Sequence, residues 1–311
     1  MNNQKKVLKV TGVLMALLSC ALWGSAVPFV KAMYGCFGVS SQEIGNQFFL
    51  AGIRFALAGI IIILYVSYRQ RKFAAVERRE VKCILHVAAY QTVFQYMFYY
   101  IGIANTASVV ASIIVGSTAF FSFLLSCFFY KQEKFAWSKL AGCILGFSGI
   151  LLCLGNGSLD AIDFKLMGAG SSLIAAIFYA LSSCLLKKYA GFMDSVKLCG
   201  YQFFAGGIVL CIVSVFVGIN IPEVTISGIM CVLYLAMVSA VAYSMWSVLL
   251  SKYNVSQITI FTFSTPMFGT VFSCMFDRSE LSNLSHYTVI ALLLVIMGIV
   301  IINKETRKKR G

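Results

Sequence analysis

Gln91, Gln95 and Tyr99 recur at i, i+4 and i+8 inside an otherwise apolar stretch, so they share one helix face. Ser239, Tyr243 and Ser247 repeat that spacing in a second apolar stretch. Amides, phenols and hydroxyls in this pattern can hydrogen-bond a neutral or zwitterionic solute. No pair of titratable groups shares their depth, which argues against acid–base or nucleophilic catalysis and assigns no catalytic residue. Inside a bilayer such groups are costly unless they face a bundle interior or a watery cavity, so they either line a pocket or bond neighbouring helices. Trp23 and Tyr179 occupy corresponding places in two further stretches, as pocket wall or as packing. Arg54 is the one basic residue well inside an apolar stretch. Its insertion costs about 2.5–3.5 kcal/mol if central, and it can snorkel, pair with carbonyls or hold a substrate carboxylate.

The elements that must position these groups follow from composition. The chain has 311 residues, 60% of them hydrophobic and only 12% charged, which no ordinary soluble domain matches. Ten apolar stretches, each near the twenty residues needed to cross the hydrocarbon, fall at 10–30, 47–68, 83–103, 107–130, 138–154, 165–186, 198–218, 227–250, 255–276 and 288–303. An all-α, multi-pass membrane protein of ten transmembrane helices is expected. With both termini in the cytoplasm, 21 basic residues lie on the inner side and only Lys31, Lys165 and Arg278 on the outer side, so the positive-inside rule gives an N-in, C-in topology. The net charge of +14 is therefore an orientation signal with affinity for anionic membrane lipids, and nucleic acid is not an expected partner.

The chain is also written twice. A shift of 147 lays Ser117–Phe135 over Ser264–Ser282, and a shift of 155 lays Gln47–Ile53 over Gln202–Ile208. The run from Cys83 pairs with the run from Cys231 at 148, and Gly12–Gly35 with Gly168–Gly191 at 156. Two five-helix units result, 1–156 and 157–311. An odd number of helices per unit makes the second run opposite to the first. Inverted repeats of this kind build many secondary transporters, because one fold packed in two orientations can exchange inward-open and outward-open forms. A multispan scaffold, sensor or lipid-handling protein is the alternative.

Gate and hinge candidates lie at the segment ends and at prolines. Glu133 and Glu280 close the fourth and ninth segments on opposite faces; they either latch the two mouths with nearby cations or sit in solvent. Pro28 interrupts the first segment, and Pro266 removes a backbone donor from the ninth and should bend it. His86 stands about one turn inside the third segment and lines the cytoplasmic mouth or titrates there. All eleven carboxylates lie at segment ends or in loops, which leaves no buried acid for proton or sodium relay. The eleven cysteines are scattered singly and read as packing residues, not as metal ligands or disulfides. No phosphate-binding glycine loop is present, and no cofactor is expected. The start resembles a lipoprotein signal ending at Cys20, but more apolar helix follows it and it has a repeat mate, so a retained first helix is expected.

With these residues in view, the chain resembles the drug/metabolite transporter superfamily, specifically its ten-helix EamA-type group. The resemblance rests on "ALWGSAVPFVK" in the first segment, "AGIRFALAG" around Arg54, a span ending in Glu133 followed by "SKLAGCILGFSGILL", "STPMFG" in the second half and the span ending in Glu280. It implies ten helices around a central cavity and ATP-independent export or exchange of small organic solutes, commonly amino acids and metabolites. Aromatic amino acid exporters of this group line their cavity with aromatic and His side chains, and the comparison points to Trp23, His86, Tyr90 and Tyr99. Ala119 stands where many members have Pro, and Thr265 where many have an acidic residue before the Pro. A multi-pass protein of a plasma membrane, bacterial in type, is the expected setting; monomer and homodimer are both open.

Overall fold

A computed structural model describes residues 8–40, 42–105, 116–155, 166–220, 224–276 and 286–308, and every regular element among them is helical. The long helices are α1 (Val10–Cys36), α2 (Ile44–Gln70), α7 (Leu166–Tyr189), α8 (Ser195–Val217) and α9 (Ile226–Lys252). Five helices among the described residues are long and apolar enough to cross a membrane, each within one of these elements. A backbone in hydrocarbon must satisfy its own polar groups, which a helix does within the segment. Apolar side chains also cover the outside of the bundle: Val215 and Phe216 of α8 and Leu64 of α2 are exposed.

The third segment is not one regular helix. It runs as α3 (Arg78–Val87), a π-helical stretch (Ala88–Phe94) and α4 (Gln95–Asn105). The described part of the fourth is α5 (Thr118–Leu124), closing in a second π-helical turn, Leu125–Phe129. The ninth is α10 (Val255–Thr259), a 3₁₀ stretch (Ile260–Ser264) and α11 (Thr265–Phe276). Where Pro266 leads one to expect a bend, the backbone changes from the 3₁₀ stretch to α-helix at Thr265, one residue before the proline, which therefore falls in the first turn of α11. The remaining elements are α6 (Trp137–Gly155) and α12 (His286–Lys308).

The most extensive helix pairings are α2 with α8, α6 with α12, α1 with α9, and α4 with α7. Around them lie three buried clusters, centred on Trp246, Phe123 and Phe263, on Phe55, Phe203 and Tyr243, and on Met33, Phe37 and Leu235.

Ion pairs and hydrogen bonds tie the basic end of the bundle together. Arg69 at the end of α2 pairs with Asp194 at 2.7 Å, and Asp194 caps α8 by accepting from the Val196 and Lys197 N–H groups. Lys187 Nζ donates to the Tyr253 carbonyl at 2.7 Å, and Tyr201 Oη to the Ala74 carbonyl at 2.8 Å. Glu80 and Lys197, both buried, meet at 2.7 Å. Burial alone would raise the Glu80 pKa, but hydrogen bonds from Lys197 Nζ and the Glu77 N–H hold it below the ordinary carboxylate value. A lowered folded-state pKa gives stability that is present above the unfolded value and lost as pH falls through the folded one. Wild-type melting temperature in detergent is therefore expected to fall on acidification below about pH 4.5, and Lys197→Met to flatten that slope while melting lower at neutral pH. An unchanged acid slope in the variant would remove this pair from the acid response.

Candidate functional site

Aromatic side chains from six helices converge where α4 meets α9. The Tyr96 and Tyr243 hydroxyls lie 2.9 Å apart and hydrogen-bond each other. Phe55 of α2 packs on Tyr96 with centroids 4.5 Å apart and stacks on Phe203 of α8 at 5.0 Å, and Phe203 meets Tyr243 edge-on at 4.9 Å. Trp23 of α1 packs against both Tyr243 and Trp246 at 4.9 Å. Tyr179 of α7 is buried in the same cluster.

Several polar atoms around this centre are buried without a hydrogen-bond partner: Trp23 Nε1, Arg54 Nε, Gln91 Nε2, Gln95 Oε1, Tyr179 Oη and Gln202 Nε2. Buried polar groups are ordinarily satisfied, so such a concentration marks either bound water or a place where a solute supplies the missing partners. Gln202 Oε1 accepts from Thr92 Oγ1 at 2.6 Å, fastening the π-helical stretch to α8.

Of the residues expected from sequence, Trp23, Tyr99, Tyr179 and Tyr243 come together in this cluster. Gln91 and Ser239 are buried, and Gln95 opens α4 beside Tyr96. His86 and Tyr90 lie toward the basic end: His86 Nδ1 is 2.7 Å from the Tyr189 hydroxyl, and Tyr90 packs against Phe94 and Phe178. Tyr96, Phe55 and Phe203 were not legible from spacing alone. Phe55 and Phe203 are apolar residues in apolar helices, which spacing does not single out; for Tyr96 the reason is the π-helical stretch, whose i→i+5 bonding widens the turn and rotates the following residues off the face that a regular helix gives them. One signal does point to Tyr96: it precedes Tyr243 by 147, the offset that aligns Ser117 with Ser264.

Arg54 projects into the centre. It is 6% exposed, its guanidinium carbon lies 4.4 Å from the Phe55 ring centroid and 5.7 Å from that of Tyr96, and Tyr34, Tyr96, Tyr100 and Tyr243 are its electrostatic neighbours. Cation–π contacts offset part of the cost of a buried charge.

Glu133 belongs to a separate cluster at the basic end and is buried, not solvated. Lys139 forms an ion pair with its Oε2, Ser126 Oγ donates to Oε1 at 2.6 Å, and the Ser256 N–H of α10 donates to Oε1 at 3.0 Å. Ser256 Oγ adds a fourth bond, to Oε2, at 2.5 Å. The carboxylate thus joins the turn after the fourth segment to the start of the ninth. Pro28 lies inside α1 and is partly buried. Glu280 falls outside the described residues. No group of three or more metal-ligating side chains occurs among the described residues.

Comparison with known proteins bears on what this bundle is. A crystal structure with 15% sequence identity superposes on 97% of the chain with a TM-score of 0.78, covering all of that chain, which shows the fold. The chain is 24% identical over 287 residues to the WAT1-related protein At3g02690, chloroplastic, of Arabidopsis thaliana, covering 88% of this chain and 66%, just under two thirds, of the plant protein. It is 25% identical to an uncharacterized transporter of Archaeoglobus fulgidus, covering 92% of this chain and 95% of the archaeal protein, and 24% identical to the uncharacterized inner membrane transporter YedA of Escherichia coli K12, covering 94% and 92%. The EamA-like transporter family matches residues 10–155 and 166–304. A multi-pass helical chain with relatives named as transporters, it belongs to the EamA-like transporter family of the drug/metabolite transporter superfamily.

Proposed function

We propose that this protein is a secondary transporter that moves small organic metabolites, amino acids or related amphipathic solutes, outward across the plasma membrane of a bacterial cell. Two inverted five-helix halves, 1–156 and 157–311, would alternate access to the centre described above. The observation that carries this reading is the Tyr96–Tyr243 hydroxyl contact. It joins the third and eighth segments, one from each half, inside an aromatic wall around unpaired polar atoms. The helix pairings support it: second with seventh and fifth with tenth join like to like, while first with eighth and third with sixth exchange under the same two-fold relation.

The test is counterflow of a labelled amino acid panel in proteoliposomes, wild type against Gln95→Ala and Tyr243→Ala. A roughly tenfold or greater loss of flux in both variants is expected. Equal flux in all three would take the centre off the transport path. No flux of amino acids, nucleosides or amphipathic cations through the wild type would leave only the architecture standing.

A further inference from the structure

We infer that Arg54 is an anchor for a carboxylate, so that the solute occupying this centre is a small organic acid or amino acid with an apolar body. The inference rests on the transport reading above and narrows its substrate class.

Depth comes first. Arg54 is the eleventh residue of a 27-residue helix, about 15 Å along the axis from one end and about 24 Å from the other. Its side chain is too short to carry the charge to either surface, and at 6% exposure it does not do so. A guanidinium keeps its charge at any physiological pH, so burial cannot be relieved by losing a proton.

The second observation is what surrounds it. The ion pairs among the described residues are Arg69–Asp194, Arg79–Glu77, Lys139–Glu133 and Lys197–Glu80; none includes Arg54. Its neighbours are phenols, and the rings of Phe55 and Tyr96 engage the guanidinium carbon while its Nε–H has no acceptor. The buried Tyr34 hydroxyl, an electrostatic neighbour of the same guanidinium, has the Tyr100 phenol as its polar neighbour, and it brings no negative charge. An unpartnered guanidinium N–H and one positive charge thus share a site to which the ion pairs among the described residues bring no negative charge. Water could accept the hydrogen bond but would leave the charge uncompensated. A carboxylate supplies both an acceptor and a negative charge, and the planar fork of arginine matches it. No other basic residue lies well inside an apolar segment, so one negative charge is matched and a phosphate dianion is not. The rings of Phe55, Phe203, Tyr96 and Tyr243 bound the site with apolar surface, which suits an apolar side chain next to the acid.

The purified full-length protein can decide this with two matched probe sets: leucine, leucinamide and 4-methylpentanoate, and phenylalanine, phenylalaninamide and 3-phenylpropanoate. Binding would be read by tryptophan fluorescence in detergent and transport by counterflow in proteoliposomes, for wild type, Arg54→Gln and Arg54→Lys. Wild type is expected to prefer acids over amides, and Arg54→Gln to weaken acid binding roughly 30-fold with little change for the amides. Arg54→Lys should recover part of that preference. The free acids separate an organic anion from an amino acid, since an amino acid site takes leucine over 4-methylpentanoate. Because each variant is scored by its own acid-to-amide ratio, a general loss of folded protein does not imitate the result. An acid-to-amide ratio near one in wild type, or the same ratio in wild type and Arg54→Gln, would overturn the inference even where flux persists. Acid-selective binding without flux would instead leave the anchor standing and sink the transport reading.

Discussion

Lys139→Met is expected to destabilise the protein by about 3–5 kcal/mol, because it strands a buried carboxylate. The Glu133 side chain is 3% exposed and that of Lys139 is 7% exposed. Ser126 and Ser256 would still donate to the carboxylate, yet three hydrogen bonds from neutral groups do not replace a cation at short range. Glu133→Gln should cost a similar amount for the opposite reason, since it leaves the ammonium buried beside an amide. The double variant Glu133→Gln/Lys139→Met should be less damaging than the two single losses added together, because removing both charges also removes both desolvation penalties. Detergent unfolding curves of the four proteins check this. A double variant whose loss equals the sum of the single losses would mean that the pair is not coupled. The cluster joins the turn after the fourth segment to the start of the ninth, so the variants should also loosen the closure of this end. Faster labelling of a cysteine introduced at the buried Val255 in Lys139→Met than in the otherwise wild-type background is the corresponding readout; equal rates would deny the cluster a gating role.

How much of this could be read from the chain follows from what each kind of signal measures. Apolar length locates hydrocarbon, so the second and seventh segments, expected at 47–68 and 198–218, coincide with α2 and α8 to within about three residues. The difference is greatest at the end of α1, which continues to Cys36 past the hydrocarbon-length estimate of 30. Periodicity measures a face only while the helix stays regular. In the third segment the π-helical stretch begins at Ala88, so a face extrapolated from Gln91 selected Gln95 and missed the adjoining Tyr96. Glu133 could not be classed from sequence, because its burial depends on Ser256 and Lys139 reaching it, and Ser256 is 123 residues away. Arg54 was visible as an anomaly of charge in an apolar run. Its ring of phenols was not, since Tyr34, Tyr96, Tyr100 and Tyr243 arrive from three different helices.

A side chain at Gly59 should do as much damage as any change outside the site, and it should reach the site as well. A Cβ built there would lie 2.4 Å from the Phe204 nitrogen and 2.7 Å from the Gly200 carbonyl oxygen, both backbone atoms that cannot rotate away. Seven residues earlier, two turns along the same face of α2, Gly52 would meet the Gly207 carbonyl at 2.8 Å. From the other side, a Cβ at Gly207 would lie 2.5 Å from the Ala56 nitrogen. The two helices therefore touch backbone to backbone, the close approach that small residues permit in membranes. Gly59→Val can be accommodated only by moving α2 and α8 apart, which is expected to cost about 3 kcal/mol and lower the melting temperature accordingly. Phe55 and Phe203 stack across this interface one turn from Gly59, at 5.0 Å and 20°. The same displacement should therefore open the wall beside Arg54 and weaken acid binding without touching a ligand-facing group. Gly170→Ala is the matched control, since nothing lies within 4 Å of its added methyl; it should melt at or slightly above the wild-type temperature because alanine favours the helix. If Gly59→Val melted with Gly170→Ala, the α2–α8 contact would have enough slack to take a side chain, and the stacked pair could not depend on it.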